Sequence, residues 1–312
     1  MALPSSTLAT YQAIGNREDL SDRIYRIDPT QTPFMSGIER EKATATLHEW
    51  QTQALAAADG TNAVLEGDDA TTDTVTVTVR LSNICQISDK VARVTGTQEA
   101  VDHAGRGSEI AYQEMLKGVE LKRDIETVLL RNQTKVTGDT TTARTTAAVL
   151  SWIATNDDHV GTSPTTSGSV TRVDGTQRAF TEAQVKTVLA ACYTAGGKPD
   201  TIMAGAFNKQ AFSTFTGRAT PTEDTTAKKI VAAVDTYVSD FGTLKVVPNL
   251  FMRTRDVLIL QMDMWALAFL RPIGSKALAV TGDSVRRQIL GEYALVSRNE
   301  KASGSVNDLT TS

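Results

Sequence analysis

The side chains in this sequence that could do chemistry are few and widely separated. Its three histidines are His48, His103 and His159, and none has a second His or Cys at metal-ligand spacing. Cys85 and Cys192 are the only cysteines, and each is set among apolar neighbours, which favours two buried free thiols over a disulfide. These residues predict neither a metal site nor a bound cofactor.

Two glycines followed by a lysine have the composition of part of a phosphate-binding loop. Gly196, Gly197 and Lys198 are followed by Pro199, however, where such a loop has Ser or Thr. The glycines also come after a predicted helix, whereas a phosphate loop precedes one. They are better explained as the end of that helix.

Acidic residues beside a histidine, or beside each other, could serve in acid–base catalysis. Asp157, Asp158 and His159 form one such group, and Asp68 with Asp69 form another. Both groups lie in polar stretches where charge is normally solvated, and no nucleophile motif accompanies them. We therefore expect surface charge at both places and a protein that is not an enzyme.

The composition indicates a globular protein without the strong basic charge needed to grip nucleic acid. Of 312 residues, 40% are hydrophobic, and the formal net charge of -4 lacks the basic field of a protein that grips DNA by its phosphates. Residues 1–15 have neither a basic start nor an apolar run of signal-peptide length. The most apolar stretch, residues 257–270, is too short and too interrupted for a membrane span, which requires about 20 apolar residues. These features predict a cytosolic chain.

The first quarter of the chain is expected to pack on other surfaces. Residues 1–44 are polar and cannot form a core, so we expect an arm. The pattern of residues 47–81 predicts a strand, a polar tip and a returning strand. The returning strand is the clearer one, because Val75, Val77 and Val79 alternate with threonines. A two-stranded ribbon of this length is marginal alone in water, so a neighbouring subunit is the expected support.

Two helices and an α/β region follow. Ser108 can cap a helix that runs to about residue 131, and its two apolar stripes suit a spine beneath other elements. Residues 132–178 are rich in Thr, Gly, Ser and Asp and are expected to be irregular. Thr181 and Gln184 have capping-box spacing for a second helix. The elements expected after it are a strand near Ile202, a helix around Phe212, a hairpin turning at residues 240–242, and strands at residues 257–260, 265–270, 277–280 and 288–297.

Two segments resemble the major capsid proteins of tailed bacteriophages. They are TPFMSGIEREKATATLHEWQTQAL, residues 32–55, and GEYALVSRNEKASGSVNDL, residues 291–309. The resemblance implies an α+β fold shared with herpesvirus floor domains and encapsulins. Its expected parts are an N-terminal arm (1–44), an extended loop (45–80), a peripheral domain (81–135 and 272–312) with a spine helix at about 108–131, an irregular insertion (136–178) and an axial domain (179–271).

The same resemblance implies a shell subunit that assembles with copies of itself into hexamers and pentamers around double-stranded DNA, without sequence-specific binding. We expect assembly in the host cytoplasm, a portal, and a separate scaffolding protein, since no helical scaffolding segment precedes the arm if Met1 is the native start. A non-covalent shell is expected because residues 47–81 contain no lysine. An encapsulin-type compartment, a soluble α/β enzyme and a tail-tube subunit remain alternatives, which electron micrographs of the expressed protein would separate.

The extended loop has a one-sided charge. Residues 47–79 carry six acids and no Lys or Arg, so we expect the loop to dock on a basic surface of the adjacent subunit. The interface residues expected from this pattern are Glu49, Glu66, Asp68, Asp69 and Asp73 on the loop, and Lys117, Lys122, Arg123, Arg286 and Arg287 on the receiving subunit. A solvated tip that touches nothing is the alternative.

Overall fold

The computed structural model describes residues 31–69, 72–103, 105–215 and 235–311, and the backbone alone of residues 222–224 and 229–231. Most of the arm expected over residues 1–44 lies outside these residues. The described helices are α1 (Pro33–Gly37), α2 (Gly96–Ala100), α3 (Glu109–Leu130), α4 (Glu182–Thr194) and α5 (Ala206–Ser213). The described strands are β1 (Glu39–Lys42), β2 (Leu47–Thr52), β3 (Val79–Ile84), β4 (Gln86–Thr95), β5 (Asp157–Asp158), β6 (Thr201–Ala204), β7 (Thr222–Asp224), β8 (Lys229–Val231), β9 (Thr236–Ser239), β10 (Gly242–Pro248), β11 (Val257–Leu260), β12 (Trp265–Ala277), β13 (Ser284–Ser297) and β14 (Gly304–Val306).

A four-stranded sheet in the order β1-β12-β13-β4 packs against α3. Strands β12 and β13 form a long antiparallel hairpin, and residues 284–293 of β13 pair with the whole length of β4. The core beneath the sheet is formed by buried apolar side chains of the helix and both strands, chiefly Leu121, Ile125, Leu129, Trp265 and Tyr293. Burial of this helix face is what holds the helix on the sheet.

The spine helix expected at about 108–131 is confirmed as α3. Ser108 is its N-cap and accepts a hydrogen bond from the backbone N–H of Ala111. Farther along, the buried carboxylate of Glu126 accepts the N–H groups of Phe34 and Met35, each at 2.8 Å. That carboxylate joins α1 to the C-terminal part of the spine helix.

A six-stranded sheet in the order β5-β14-β11-β6-β10-β9 forms the second part of the fold. Helix α4 begins with the expected capping box between Thr181 and Gln184 and buries Val185, Val188 and Cys192 against this sheet. The hairpin expected at residues 240–242 joins β9 to β10. Helix α4 and this hairpin therefore form from local signals that the sequence contains.

The division of the chain between the two sheets differs from the expected domain boundaries. Residues 265–270, expected in the axial domain, belong to β12 of the four-stranded sheet. Residues 304–306, expected in the peripheral domain, are β14 of the six-stranded sheet and pair with β11. The last strand pair also forms from longer strands than expected, and residues 278–280 lie outside β12. The chain crosses between sheets at residues 261–264 and again after Ser297, and neither crossing has a composition change that would mark it.

The insertion at residues 136–178 is mostly irregular, as expected, but it is not a surface excursion. Its residues 147–153 are buried, and the Trp152 side chain is fully buried in the main core. Its short strand β5 pairs with β14 at the edge of the six-stranded sheet. The insertion therefore joins the two sheets to each other.

The extended loop begins and ends in a hairpin that is shorter than expected. Strands β2 and β3 pair antiparallel from Leu47 opposite Ile84 to Thr52 opposite Val79. Residues 74–78, expected to continue the returning strand, are fully exposed and form no strand. Their Val/Thr alternation is a strand pattern without a strand partner within this chain's described residues.

Candidate assembly interface

The loop tip, which we define as residues 53–78, is exposed throughout its described part and carries large apolar side chains. Five of these side chains are between 80% and 95% exposed: Leu55, Val64, Leu65, Val75 and Val77. Each side chain of this size gains roughly 1.5–3 kcal/mol when it is removed from water completely. The tip therefore has the composition of a surface that a partner covers.

Four of the expected interface acids lie on this tip. Glu66, Asp68, Asp69 and Asp73 are all exposed. Within the ranges that the structure describes, no basic side chain lies at ion-pair distance from any of them. The tip therefore presents negative charge together with apolar surface.

Glu49, in contrast, is neutralised within its own hairpin. It lies on β2, and its Oε2 accepts a hydrogen bond of 2.5 Å from Arg80 Nη2 on β3. This hydrogen bond, with the positive charge of Arg80, lowers the pKa of Glu49. Glu49 is expected at the subunit interface, and its carboxylate already has a partner in its own hairpin. Arg80 lies just beyond the lysine- and arginine-free stretch, and the strand register sets its position across the hairpin.

The basic residues expected on the spine helix differ in how free they are. Lys117 is ion-paired with Glu120 at 2.8 Å, and the Arg123 guanidinium lies 5.4 Å from the centre of the Phe251 ring. Lys122 is exposed, and within the described residues no carboxylate lies at ion-pair distance from it. Lys122 is therefore the most available cation of the three.

The two arginines of β13 point to opposite faces of the four-stranded sheet, because neighbouring residues of a strand alternate. Arg287 lies on the α3 side, where its Nε is 3.5 Å from Glu114 Oε2. Arg286 donates to the carbonyl of Ala279 at 2.8 Å and lies opposite Arg93 of β4 in the strand register. The five expected cations thus form two groups, one beside α3 and one at Arg286.

Sequence reasoning missed a buried network of charges that holds the insertion to the C-terminal segment. The guanidinium of Arg172 is 1% exposed and lies 3.0 Å from Asp256 Oδ1 and 3.2 Å from Asp308 Oδ2. Asp308 also accepts an N–H from Arg255 at 3.0 Å. These residues are far apart in sequence, so no local spacing identifies them.

The backbone around Asp308 completes the network. Its carboxylate accepts three backbone N–H groups of the insertion, from Val160, Gly161 and Gly175. Asp308 itself has φ 60°, a left-handed conformation that Asp and Asn adopt more readily than other side chains. Residue 308 therefore combines a turn and an anion in one position.

Asp157 corrects the expectation of solvated charge at residues 157–159. Its side chain is 1% exposed, lies 3.2 Å from His159 Nδ1, and accepts a hydrogen bond from Ser305. Burial raises the pKa of Asp157, although His159 and Arg172 oppose the shift. Pairing of β5 with β14 buries this carboxylate, and periodicity does not reveal that pairing.

The arrangement around His159 is not that of a nucleophile and its base. Ser163 Oγ is 3.4 Å from both ring nitrogens of His159, so it lies beside the ring and not along one nitrogen's lone pair. A nucleophile and its base usually have one shorter contact of about 2.6–3.2 Å. Beside this histidine, the hydrogen bond from Ser305 to Asp157 fastens β5 to β14.

Among the described residues, no group of three or more His, Cys, Asp or Glu side chains is arranged to hold a metal ion. None of the described helices is both long and apolar enough to cross a membrane. Both cysteines are free and buried, as expected. What stands out is an exposed, acidic and apolar loop tip together with cations around α3 and β13, and such surfaces are typical of contacts between subunits.

Comparison with known proteins identifies the class of subunit. Residues 5–310 match the family described as SU10 major capsid protein. The chain is 31% identical over 348 residues to the major capsid protein of Escherichia phage Phieco32, covering 97% of each chain.

Solved structures show the same fold at low sequence identity. A chain of the Cyanophage A-1(L) capsid asymmetric unit has a TM-score of 0.67 at 13% identity, over 97% of this chain and 98% of that one. A chain from Gordonia phage Cozz has a TM-score of 0.64 at 9% identity, over 99% and 98% respectively. The family match supports the capsid interpretation over the compartment, enzyme and tail-tube alternatives. The chain belongs to the SU10 major capsid protein family and is a shell subunit of a tailed bacteriophage.

Proposed function

We propose that the subunit builds hexamers and pentamers by laying its acidic loop tip on the basic surface of an adjacent subunit. The shell encloses double-stranded DNA without reading its sequence, assembles in the host cytoplasm, and uses a separate scaffolding protein and a portal. The axial and peripheral parts of the subunit correspond to the six-stranded and four-stranded sheets. One observation carries this proposal: the tip has five highly exposed apolar side chains and four acids without an ion-pair partner among the described residues.

The apolar and acidic residues have different parts in this contact. Burial of the apolar side chains supplies most of the affinity, since each is worth roughly 1.5–3 kcal/mol when fully covered. Each exposed ion pair contributes only about 0.2–1 kcal/mol, but charge steers the approach and selects the register. Every subunit of a shell repeats the contact, so a small contribution per subunit changes assembly strongly.

Charge reversal tests the electrostatic part of the contact. Asp68→Lys combined with Asp69→Lys should reduce the yield of closed particles and make the remaining assembly depend more steeply on salt, because salt screens exposed charges. Asp102→Lys, at an exposed acid outside the loop, is the matched control and should assemble normally. Particles are counted by electron microscopy and sedimentation after co-expression with the scaffolding protein.

Compensating changes identify the receiving cation. Lys122→Glu combined with the reversed loop should restore part of the yield if the tip lies beside α3, whereas Arg286→Glu should restore it if the tip lies on the other side of the sheet. Normal particles from the reversed loop at both low and high salt would show that charge does not hold the tip.

A further inference from the structure

One edge of the four-stranded sheet has no neighbouring strand among the described residues. Strand β4 is the last strand in the sheet order, and its other neighbour position is empty within the described chain. No backbone hydrogen bond reaches residues 86–95 from any described residue outside the sheet. Ile87 and Val91 are each 44% exposed on the face away from α3. An open edge of this length is a template for another strand.

The loop tip contains a strand sequence without a partner. In residues 74–78 Val and Thr alternate, and both are β-branched residues that favour strands. These residues are fully exposed, and their one described hydrogen bond from elsewhere in the chain is the Gln53 side chain donating to the Thr76 carbonyl. They continue directly into β3, which begins at Val79.

The two segments match in both apolar spacing and charge. Val75 and Val79 are four residues apart, as are Ile87 and Val91. In an antiparallel pairing with Val79 opposite Ile87 and Val75 opposite Val91, residue 73 lies opposite residue 93. These are Asp73 and Arg93, both exposed and opposite in charge. A parallel pairing of the same apolar residues places Asp73 beside Cys85, which is uncharged and buried, so the charge pair selects the antiparallel register.

We propose that residues 73–79 of one subunit add as an antiparallel strand to the β4 edge of a second copy of this chain. The paired positions are Val79 with Ile87, Val77 with Asp89, Val75 with Val91, and Asp73 with Arg93. This inference rests on the proposed loop contact between subunits and assigns it a place and a register. Main-chain hydrogen bonds hold the added strand, and the four side-chain pairs set its position.

A cysteine pair tests the register directly. Val75→Cys with Val91→Cys places two thiols on directly opposed residues of different subunits, where the Cα atoms are about 4.5–5.5 Å apart and a disulfide can form. The native thiols do not interfere, because burial raises the pKa of Cys85 to about 11 and that of Cys192 to about 12. The matched control is Val75→Cys with Ile87→Cys, which in this register is offset by four residues, or about 13 Å.

Assembled particles of full-length chain are oxidised and run on a non-reducing denaturing gel. The expected result is a ladder of covalent multimers from the Val75/Val91 pair and mostly monomer from the Val75/Ile87 pair. Closed particles with no ladder from the first pair, or with equal ladders from both, overturn the strand register. Normal particles from the Asp68→Lys, Asp69→Lys loop at both low and high salt overturn the charged loop contact on which this inference rests.

A proline scan separates strand addition from a contact made by side chains alone. Successive residues of an added strand direct their N–H groups alternately toward and away from the edge, so single prolines at residues 74, 75, 76 and 77 should reduce particle yield with a period of two. Alanine at the same positions is the control for the lost side chain. Equal losses at all four proline positions contradict strand addition, even where the charge reversal of the loop still lowers the yield.

Discussion

Replacing Asp308 by asparagine removes the charge at the centre of the buried network and keeps nearly the same shape. Asparagine also tolerates the left-handed backbone at this position, where φ is 60°. The change therefore tests the charge and its hydrogen bonds without adding backbone strain. It bears on the shell because Asp308 joins the insertion to the C-terminal segment that completes the six-stranded sheet.

The size of the effect follows from the donors around the carboxylate. Oδ2 accepts from Val160, Gly161 and Arg172, and Oδ1 accepts from Gly175 and Arg255. Whichever oxygen becomes an amide nitrogen, at least two donors lose their acceptor. A hydrogen bond to a charged group is worth about 1.5–3 kcal/mol, and breaking a buried ion pair costs about 3–5 kcal/mol. We expect Asp308→Asn to lower the free energy of unfolding by about 3–5 kcal/mol at pH 7.

The loss should depend on pH in a definite direction. Burial alone raises the pKa of Asp308, but the N–H groups of Gly161, Gly175 and Val160, with the charge of Arg172, outweigh it and hold the pKa well below its usual range. A lowered pKa contributes stability that is present above the unfolded value of about 3.9 and is lost as the pH falls below it. The difference between wild type and variant should therefore shrink below about pH 4.

Urea unfolding of the unassembled full-length chain at pH 7 and at lower pH measures this difference. The matched control is Asp139→Asn, because the exposed Asp139 carboxylate also accepts hydrogen bonds, from Thr141 and Thr142, and these lower its pKa to about 2. The control should change stability little, since its donors remain solvated after the change. A loss at Asp308 below about 1 kcal/mol, or one that is equal at both pH values, would refute the role assigned to the buried charge.

Three further predictions concern the interior. Glu126→Gln should lower the free energy of unfolding by about 1–3 kcal/mol in chemical denaturation, because one of the three donors to this carboxylate then faces an amide N–H. Glu126→Ala should lower the free energy of unfolding further, and equal losses for the two variants would contradict this. Gly304→Ala should cost about 1–3 kcal/mol in thermal unfolding, because its Cβ would lie 2.3 Å from Val188 Cγ1, whereas Gly118→Ala on the open face of α3 should not destabilise. Burial raises the pKa of Asp256 to about 6, so the folded chain binds this proton more tightly than the unfolded chain. The free energy of unfolding should therefore rise as the pH falls from about 6 towards 4, and Asp256→Asn should lack that rise in urea unfolding at a series of pH values.

The elements that sequence reasoning predicted well are those with local signals. Helix α4 has its capping box and an apolar stripe within 12 residues, and α3 has the Ser108 cap and a long amphipathic pattern. The hairpin between β9 and β10 has its turn at Asp240 and Gly242. In each case the residues that define the element are near one another in the chain.

The features that sequence reasoning missed depend on distant residues. Asp157 was expected in water, but β14, about 150 positions later, covers it. Trp265 lies within the range that the resemblance implies for the axial domain, yet its strand pairs with β13. Glu49 pairs with Arg80, which is 31 residues away along the chain, so the charge pattern of residues 47–79 does not show this pairing. Periodicity cannot supply such pairings, since it records which face a residue occupies and not what that face meets.

Residues 74–78 have the sequence pattern of a strand but form none in the described structure. The charge of the loop tip explains why this exposed pattern does not cause aggregation. Exposed Val-rich strands pair with one another readily, which makes them an aggregation hazard. Here the acids of the tip, among them Asp68, Asp69 and Asp73, make two loop tips repel each other. The same acids are attracted to the β4 edge, where Arg93 and Arg286 lie side by side in the register. In the proposed contact, one set of charges therefore disfavours pairing between two tips and favours pairing between a tip and the open edge of a neighbouring subunit.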